Sequence, residues 1–378
     1  MLFVPTEFLK AGMVLAVNIE NGVYNIPLLS QGQVLTNKFI KRIKELNISG
    51  VYIENKLFDD VVIKDIVDVK LKNRILTNLK DIYEDFSKTT FITNINLNTI
   101  SDLAKKLVDN ILSEEDVLIN LSELKGYDDY TYRHSLSVAV LSITIGLKLG
   151  CNQRVLSDIA TSALLHDVGK MKIDISILNK PSKLTAEEFE IIKQHPSAAY
   201  ELLNKNRIIP TGVLNGIVSH HEKFDGTGYP KGLKDKEIPL YAKILAVADV
   251  YDALTSNRPY RKACFPNEAV EYMMANSGIQ FNHQILEAFL KSVAAYPVGS
   301  PIALSNGMTA IIVKNHPENT LRPIIRIIEE NGEGFLDVDL LYDKRFINVT
   351  IVGRDNEASF FDLLDRKLKT EKKNESPA

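Results

Sequence analysis

Five of the seven histidines, His134, His166, His195, His220 and His221, occupy one stretch of the chain, and two aspartates accompany them. Asp167 directly follows His166 and Asp249 closes the set, giving the order H…HD…H…HH…D. Neutral imidazole and carboxylate together suit Zn²⁺, Mn²⁺ or Fe²⁺. Seven ligands are too many for one ion and match two ions that share a bridging carboxylate. Within His166-Asp167-Val168-Gly169-Lys170, adjacent helical side chains point about 100° apart. Both can reach one ion only near a helix end or at close approach, which Gly169 permits because it has no Cβ. Asp167 has two oxygens with which to bridge, and Lys170 can offer a point charge to a phosphate. His195, in Lys193-Gln194-His195-Pro196, reads alone as an ordinary helix-end histidine. It joins the set because a second ion needs a further ligand.

His220-His221 opens a run that ends in Gly226-Thr227-Gly228-Tyr229-Pro230. Gly226 and Gly228 free the backbone for close approach to a ligand, Pro230 stiffens the exit, and Tyr229 offers a ring and a hydroxyl. Such a loop beside two histidines makes a wall for a nucleotide pocket. Arg258 and Arg261 follow Asp249 closely, and their planar guanidinium forks suit phosphate. Asp252, one turn after Asp249, supports a ligand or lies on a helix surface. His283 and His316 have no partner pattern and read as structural or exposed. Cys151 and Cys264 read as small fillers or loop residues.

The elements that must position these residues follow from periodicity. Residues 1–65 mix short β-like runs, Val14–Val17, Val34–Leu35 and Val51–Ile53, with a helix from about Asn37 to Leu46: a small α+β module. Residues 66–113 carry apolar stripes at spacings of three and four, Leu71 to Phe86 and Ile100 to Ile111, as a helical linker. Residues 114–295 read as helices joined by loops, with His134 opening one helix, His166 and Asp167 ending another, and Asp249 within Ala242–Leu254. Residues 296–353 hold β-branched runs, Ile302–Leu304, Ala310–Val313, Ile324–Ile328 and Val349–Val352, as a small β-rich module. The tail, 354–378, holds an amphipathic turn or two and ends in a disordered TEKKNESPA. The fold class is mainly α, with an all-helical core between two small modules.

Composition narrows the classes. The 378 residues are 45% hydrophobic and 25% charged with a net charge of −3, which argues against binding a nucleic-acid polymer. Two distant cysteines outside any CxxC pattern imply a reducing compartment. The longest apolar stretch, Leu136 to Leu149, is too short and too polar for a bilayer, and the first residues lack a signal-peptide pattern. The expectation is a cytoplasmic protein without a membrane span.

The segments HDVGK, HHEKFDGTGYP and ADVYDALTSNRPYR, with their separations, resemble the HD-GYP family of bacterial phosphodiesterases within the HD metal-hydrolase superfamily. The resemblance covers about residues 115–295. It implies an all-helical catalytic core that holds two or three ions, often iron or manganese, with zinc or nickel as alternatives. It implies hydrolysis of cyclic di-GMP to linear pGpG, and in some members onward to GMP, with a metal-bridging hydroxide as nucleophile. On these positions the family's metal ligands fall on His134, His166, Asp167, His195, His220, His221 and Asp249. The catalytic positions fall on Asp167 and Lys170. Substrate contacts fall on Lys170, Gly228, Tyr229, Pro230, Arg258 and Arg261. Members with three ions carry a glutamate four residues before the first histidine, where this chain has Tyr130, so two ions are expected. Asp128 and Asp129 stand nearby at other helical positions. Lys172 and Asp174 replace a Gly and a Pro common in the family, which alters the neighbouring loop.

Two divalent ions, two ionised aspartates and a hydroxide leave a site of about +1 for a phosphodiester. The rival readings are a phosphodiesterase for another cyclic dinucleotide, and a silent cyclic di-GMP receptor. The receptor would engage a partner such as a diguanylate cyclase (GGDEF) protein, relaying a signal through the helices between 70 and 112; the same helix pair is the candidate contact for a homodimer.

Overall fold

The structure, a computed structural model, describes residues 1–20, 27–46, 48, 50–55, 58–61, 66–88, 94–113, 130–178, 180, 182–205, 207–256, 263–328, 335–353, 360 and 361. Tertiary contacts gather the chain into two units, one of residues 1–20, 26–64 and 294–378, the other chiefly of 65–293. The end modules expected at 1–65 and 296–353 therefore share one unit, and most of the tail lies outside the described residues.

In the first unit, β1 (Leu2–Pro5), β2 (Ile19–Glu20), β3 (Pro27–Leu29) and β4 (Gly50–Ile53) form two antiparallel pairs, β1 with β4 and β2 with β3. Helix α1 (Asn37–Glu45) starts where Thr36 Oγ1 accepts from Phe39 N at 3.3 Å, and it buries Ile40 and Ile43. The later strands are β5 (Pro301–Leu304), β6 (Thr309–His316), β7 (Asn319–Ile328), β8 (Phe335–Asp339) and β9 (Ile351–Gly353). They form an antiparallel sheet in the order β8-β7-β6-β5-β9. Ile311, Phe360 and Phe361 join Leu2, Val4, Leu15 and Ile43 in one apolar core. Arg326 fixes this arrangement with forked hydrogen bonds to Asp60 and Asp337 at 2.6–2.8 Å.

The second unit is helical: α2 (Val69–Lys88), α3 (Asn94–Leu112), α4 (Tyr130–Lys148), α5 (Gln153–Leu165), α6 (Ile175–Leu178), α7 (Ala186–Ile192), α8 (His195–Asn204), α9 (Thr211–Ser219), α10 (Leu240–Thr255), α11 (Pro266–Ala275) and α12 (His283–Leu290). The helices expected as a linker, α2 and α3, are built into this unit, α2 packing on α4 and α3 on α5. Their stripes explain it. Ile75, Leu79, Ile82 and Phe86 of α2, and Ile100, Leu103, Leu107 and Ile111 of α3, are almost wholly buried. Each such side chain contributes roughly 1.5–3 kcal/mol by leaving water. Helix α5 is buried along its second half, with every residue from Ile159 to Leu165 buried, and Asn152 caps its start by accepting from Val155 N. Among the described residues no helix is long and apolar enough to cross a membrane.

Candidate metal centre

The ends and inner faces of five helices meet at the core of this unit. His134 projects from α4, His166 caps the C-terminus of α5, and Asp167 leads into a 3-10 turn, Val168–Lys172. His195 is the first residue of α8, His220 caps the end of α9 with His221 next, and Asp249 faces inward from α10. The His166-Asp167 pair thus sits at a helix end, where neighbouring side chains can converge. Three triads bring ligand atoms within 4.8 Å of one another: His134, His166 and Asp167; His166, His220 and Asp249; His195, His220 and His221. All seven residues singled out in the sequence are brought together.

The proton positions show what the cluster can hold. Nδ1 of His166, His195 and His220 donates to the carbonyl of Ala163, Ile192 and Ile217 at 2.7, 2.7 and 2.6 Å. A carbonyl only accepts, so each neutral ring carries its proton on Nδ1 and its lone pair on Nε2. The Nε2 atoms of His195 and His220 nevertheless face each other at 3.3 Å. Two lone pairs repel at that distance unless a cation lies between them. Nitrogens bound to one ion at about 2.1 Å are separated by roughly 3.0–3.4 Å, so the spacing fits. His166 Nε2 and Asp167 Oδ1 are buried without a hydrogen bond, which is costly in a protein interior unless an ion takes up the lone pairs. The donor set of imidazole and carboxylate suits divalent transition metals.

Charge is arranged to match. Burial works against ionised Asp167 and Asp249. The neighbouring His166 and Lys170, and His134 and His221, nonetheless hold their carboxyls well below the ordinary 3.8. Burial pushes His195, His220 and His221 below the usual imidazole value, against the opposite pull of Asp167 on His195 and of Asp249 on His220 and His221. These rings are therefore neutral, the form that binds metal. Burial also disfavours a charged His134, yet the hydrogen bonds its ring donates to the Asp249 and Asp252 carboxylates raise it to about 9. A cation arriving at its Nε2 would displace that proton.

Asp252 has a definite task. It is buried on the same face of α10 as Asp249, and its Oδ2 accepts from His134 Nδ1 at 2.7 Å. A carboxylate there fixes the ring's tautomer and direction and makes it a better donor, a role whose removal typically costs 10–100-fold in metal affinity or activity. Asp252→Ala is expected to weaken metal binding by roughly that factor, with Asp252→Asn milder because an amide oxygen still accepts. Metal titration followed by calorimetry checks both.

The loop after His221 is held from within. Glu222 is buried, and its two oxygens accept from Lys231 N at 2.7 Å and Leu233 N at 2.9 Å. A Cβ on Gly228 would lie 2.3 Å from Lys223 N and 2.6 Å from His221 O. Gly228 therefore lets the loop fold back closely on its own backbone. Tyr229 precedes a cis peptide to Pro230, and its ring lies 4.7 Å from that of His221 at a 33° tilt. Pro230 is exposed.

Lys170 Nζ binds Asp167 Oδ2 at 2.6 Å and stays partly open to solvent. Arg258 and Arg261 lie outside the described residues, as do Asp128 and Asp129. His283 pairs with Ser277 Oγ at 3.2 Å and His316 with Asp339 at 3.0 Å, both away from the cluster's ligand sets. Sequence reasoning passed over Glu222, whose partners lie nine and eleven residues on. Asp252 stood with two readings, and only its three-residue spacing from Asp249 hinted at the shared face.

Residues 106–285 match the family model described as HD domain. A cyclic di-GMP phosphodiesterase of Pseudomonas aeruginosa is 38% identical over 227 residues, taking in 60% of this chain and 55% of that protein. A cyclic di-GMP phosphodiesterase of Thermotoga maritima is 36% identical over 224 residues, 58% of this chain and 59% of that protein. The cyclic di-GMP phosphodiesterase PdeB of Borreliella burgdorferi is 26% identical over 331 residues, 84% of this chain and 86% of that protein. The chain thus spans somewhat over half the length of the first two relatives. The HD pair and paired histidines gathered at one helical centre thus lie within the stretch that matches the HD domain, and that stretch is similar to these cyclic di-GMP phosphodiesterases.

Proposed function

We propose that this chain is a metal-dependent phosphodiesterase that hydrolyses cyclic di-GMP to linear pGpG. The observation that carries the reading is the placement of Asp167. Its Oδ1 lies 3.3 Å from His195 Nε2, while its Oδ2 lies 3.4 Å from His166 Nε2 and 3.6 Å from His134 Nε2. One carboxylate thus turns its two oxygens toward two different sets of histidines, as a ligand shared by two ions must. The relatives that carry the name cyclic di-GMP phosphodiesterase support the choice of substrate.

His134, His166, Asp167, His195, His220, His221 and Asp249 would hold the ions, of which manganese and iron suit the mixed nitrogen and oxygen donors. Two bound divalent ions would supply Lewis-acid polarisation of a phosphate oxygen and a water of lowered pKa. The chain does the rest. Asp167 and Asp249 bring two negative charges, so that the centre stays cationic toward a phosphodiester. Lys170, beside Asp167, offsets charge that develops on the phosphate. Arg258 and Arg261 serve the second phosphate, and the wall formed by Gly228, Tyr229 and Pro230 borders the substrate. In the net reaction water adds to phosphorus, the bond to ribose O3′ breaks and O3′ takes the proton, leaving a 5′-phosphate. Incubating the purified chain with Mn²⁺ and cyclic di-GMP, then separating products by chromatography, is expected to show pGpG. Unchanged substrate in fully loaded protein would refute the assignment.

A further inference from the structure

Helix α7 is held in an unusual way. It has seven residues and buries none of them, although packing of an apolar face is what stabilises most short helices. Its anchors are polar. Thr185 and Glu188 form a reciprocal capping box, and Lys180 Nζ grips both Glu188 oxygens at 2.7 Å. The apolar residues remain outside, Phe189 being 45% exposed. Keeping an aromatic ring in water forgoes the gain from burial, so a fixed, exposed ring is placed to be covered by something else.

The neighbourhood of Phe189 says what covers it. Side chains of His134, His166, Asp167 and His195 are at most 2% exposed, whereas His221 is 22% and Lys170 26% exposed. The centre therefore opens on the side of His221. From His221 the rings step outward to Tyr229 at 4.7 Å and on to Phe189 at 6.4 Å, the latter pair nearly perpendicular. Lys193 Nζ lies over the Phe189 ring, 5.0 Å from its centroid, and over that of Tyr229 at 5.9 Å, held by Glu190 Oε1 at 2.5 Å. A flat apolar face beside a cation, two rings from a phosphate-handling centre, matches a base joined to its phosphate.

We infer that Phe189, flanked by Lys193, is the platform on which one purine base of the substrate stacks while its phosphate reaches the centre beside His221. This rests on the phosphodiesterase reading and adds how the nucleotide is held. Base–aromatic stacking contributes enough to change affinity by about tenfold or more per base, and Lys193 offers a charge to the linking phosphate. A second protein chain would need a broader apolar face than Phe189 and Ile191 offer beside Lys193 and Glu190.

The chain has no tryptophan, so Phe189→Trp places a single fluorescent indole on α7. Titrating the metal-loaded full chain with cyclic di-GMP, and separately with GMP and ribose 5-phosphate, reads the contact directly. Saturable quenching by cyclic di-GMP and GMP but not by ribose 5-phosphate is expected. In parallel, Phe189→Ala and Phe189→Leu are each expected to raise KM for cyclic di-GMP about tenfold, because leucine restores bulk but not a π face. Quenching by GMP without any binding or turnover of cyclic di-GMP would keep the platform and overturn the substrate reading. Binding of cyclic di-GMP by equilibrium dialysis with no quenching, or normal KM in Phe189→Leu, would overturn the platform and leave the substrate reading in place. Absence of quenching by every purine nucleotide would overturn it as well.

Discussion

Asp167→Asn is expected to reduce hydrolysis of cyclic di-GMP by about 10³-fold or more, equivalent to about 4 kcal/mol of barrier, and to strip metal from the protein. The substitution keeps shape and removes one negative charge. Asp167 is fully buried and its oxygens face His195 on one side and His134 and His166 on the other. An amide could offer one oxygen to one set but would turn an NH₂ toward the other, where only acceptors lie. Positive charge would also go unbalanced in a dry pocket, where its cost is largest. His166→Ala should act in the same direction, since it removes a nitrogen common to two of the three triads. Elemental analysis and initial rates on the folded variants check both. Full metal content with normal turnover in either would exclude a shared carboxylate.

Gly169→Ala is expected to lower the melting temperature and weaken metal binding together. A Cβ there would lie 2.0 Å from His195 O and 2.8 Å from Ala199 N. Both are backbone atoms in the first turn of α8, so no side chain can swing aside and the turn and the helix must part. Overpacking of a well-packed interior costs about 1–3 kcal/mol or more. Because His195 rides on that turn, the strain moves its Nε2 away from Asp167 Oδ1 as well. Thermal unfolding with and without Mn²⁺ separates the two effects. The variant should melt earlier in both conditions and gain less from added metal. An unchanged melt in both would show that α8 yields freely.

The cluster was legible because its residue types are few and ordered along the chain, and because a family pattern covers the same stretch. The role of Gly169 was legible only in part. The need for close approach could be read, but the atom approached, a carbonyl of α8, could not, because the contact depends on how two helices cross. Asp252 and Glu222 look like any acidic residues in sequence; burial and partners up to 118 positions away distinguish them. Phe189 misleads in the opposite sense. Ala-Glu-Glu-Phe-Glu-Ile-Ile has the pattern of a helix with a buried stripe, yet α7 buries nothing because polar caps hold it.

In the other unit, the helix near Asn37 and strands β4, β5, β6, β7 and β9 followed from local pattern, whereas β1, β2 and β3 did not and the runs at Val14 and Val34 meet only in an isolated bridge. Strand β8, Phe335–Asp339, escaped notice because it carries two aspartates, which strands disfavour; pairing with β7 stabilises it. The core shared by Leu2 and Phe361 joins opposite ends of the chain, and no local periodicity encodes such a partnership.

A cluster that holds two ions should be active only when both are bound. The most direct measurement starts from chelator-treated protein and follows cyclic di-GMP turnover while Mn²⁺ is added under anaerobic conditions, with bound metal counted at each step. Activity should be absent at first and reach its plateau when two ions are bound per chain. Turnover by the metal-free protein, or a plateau at a single ion, would exclude a two-ion centre.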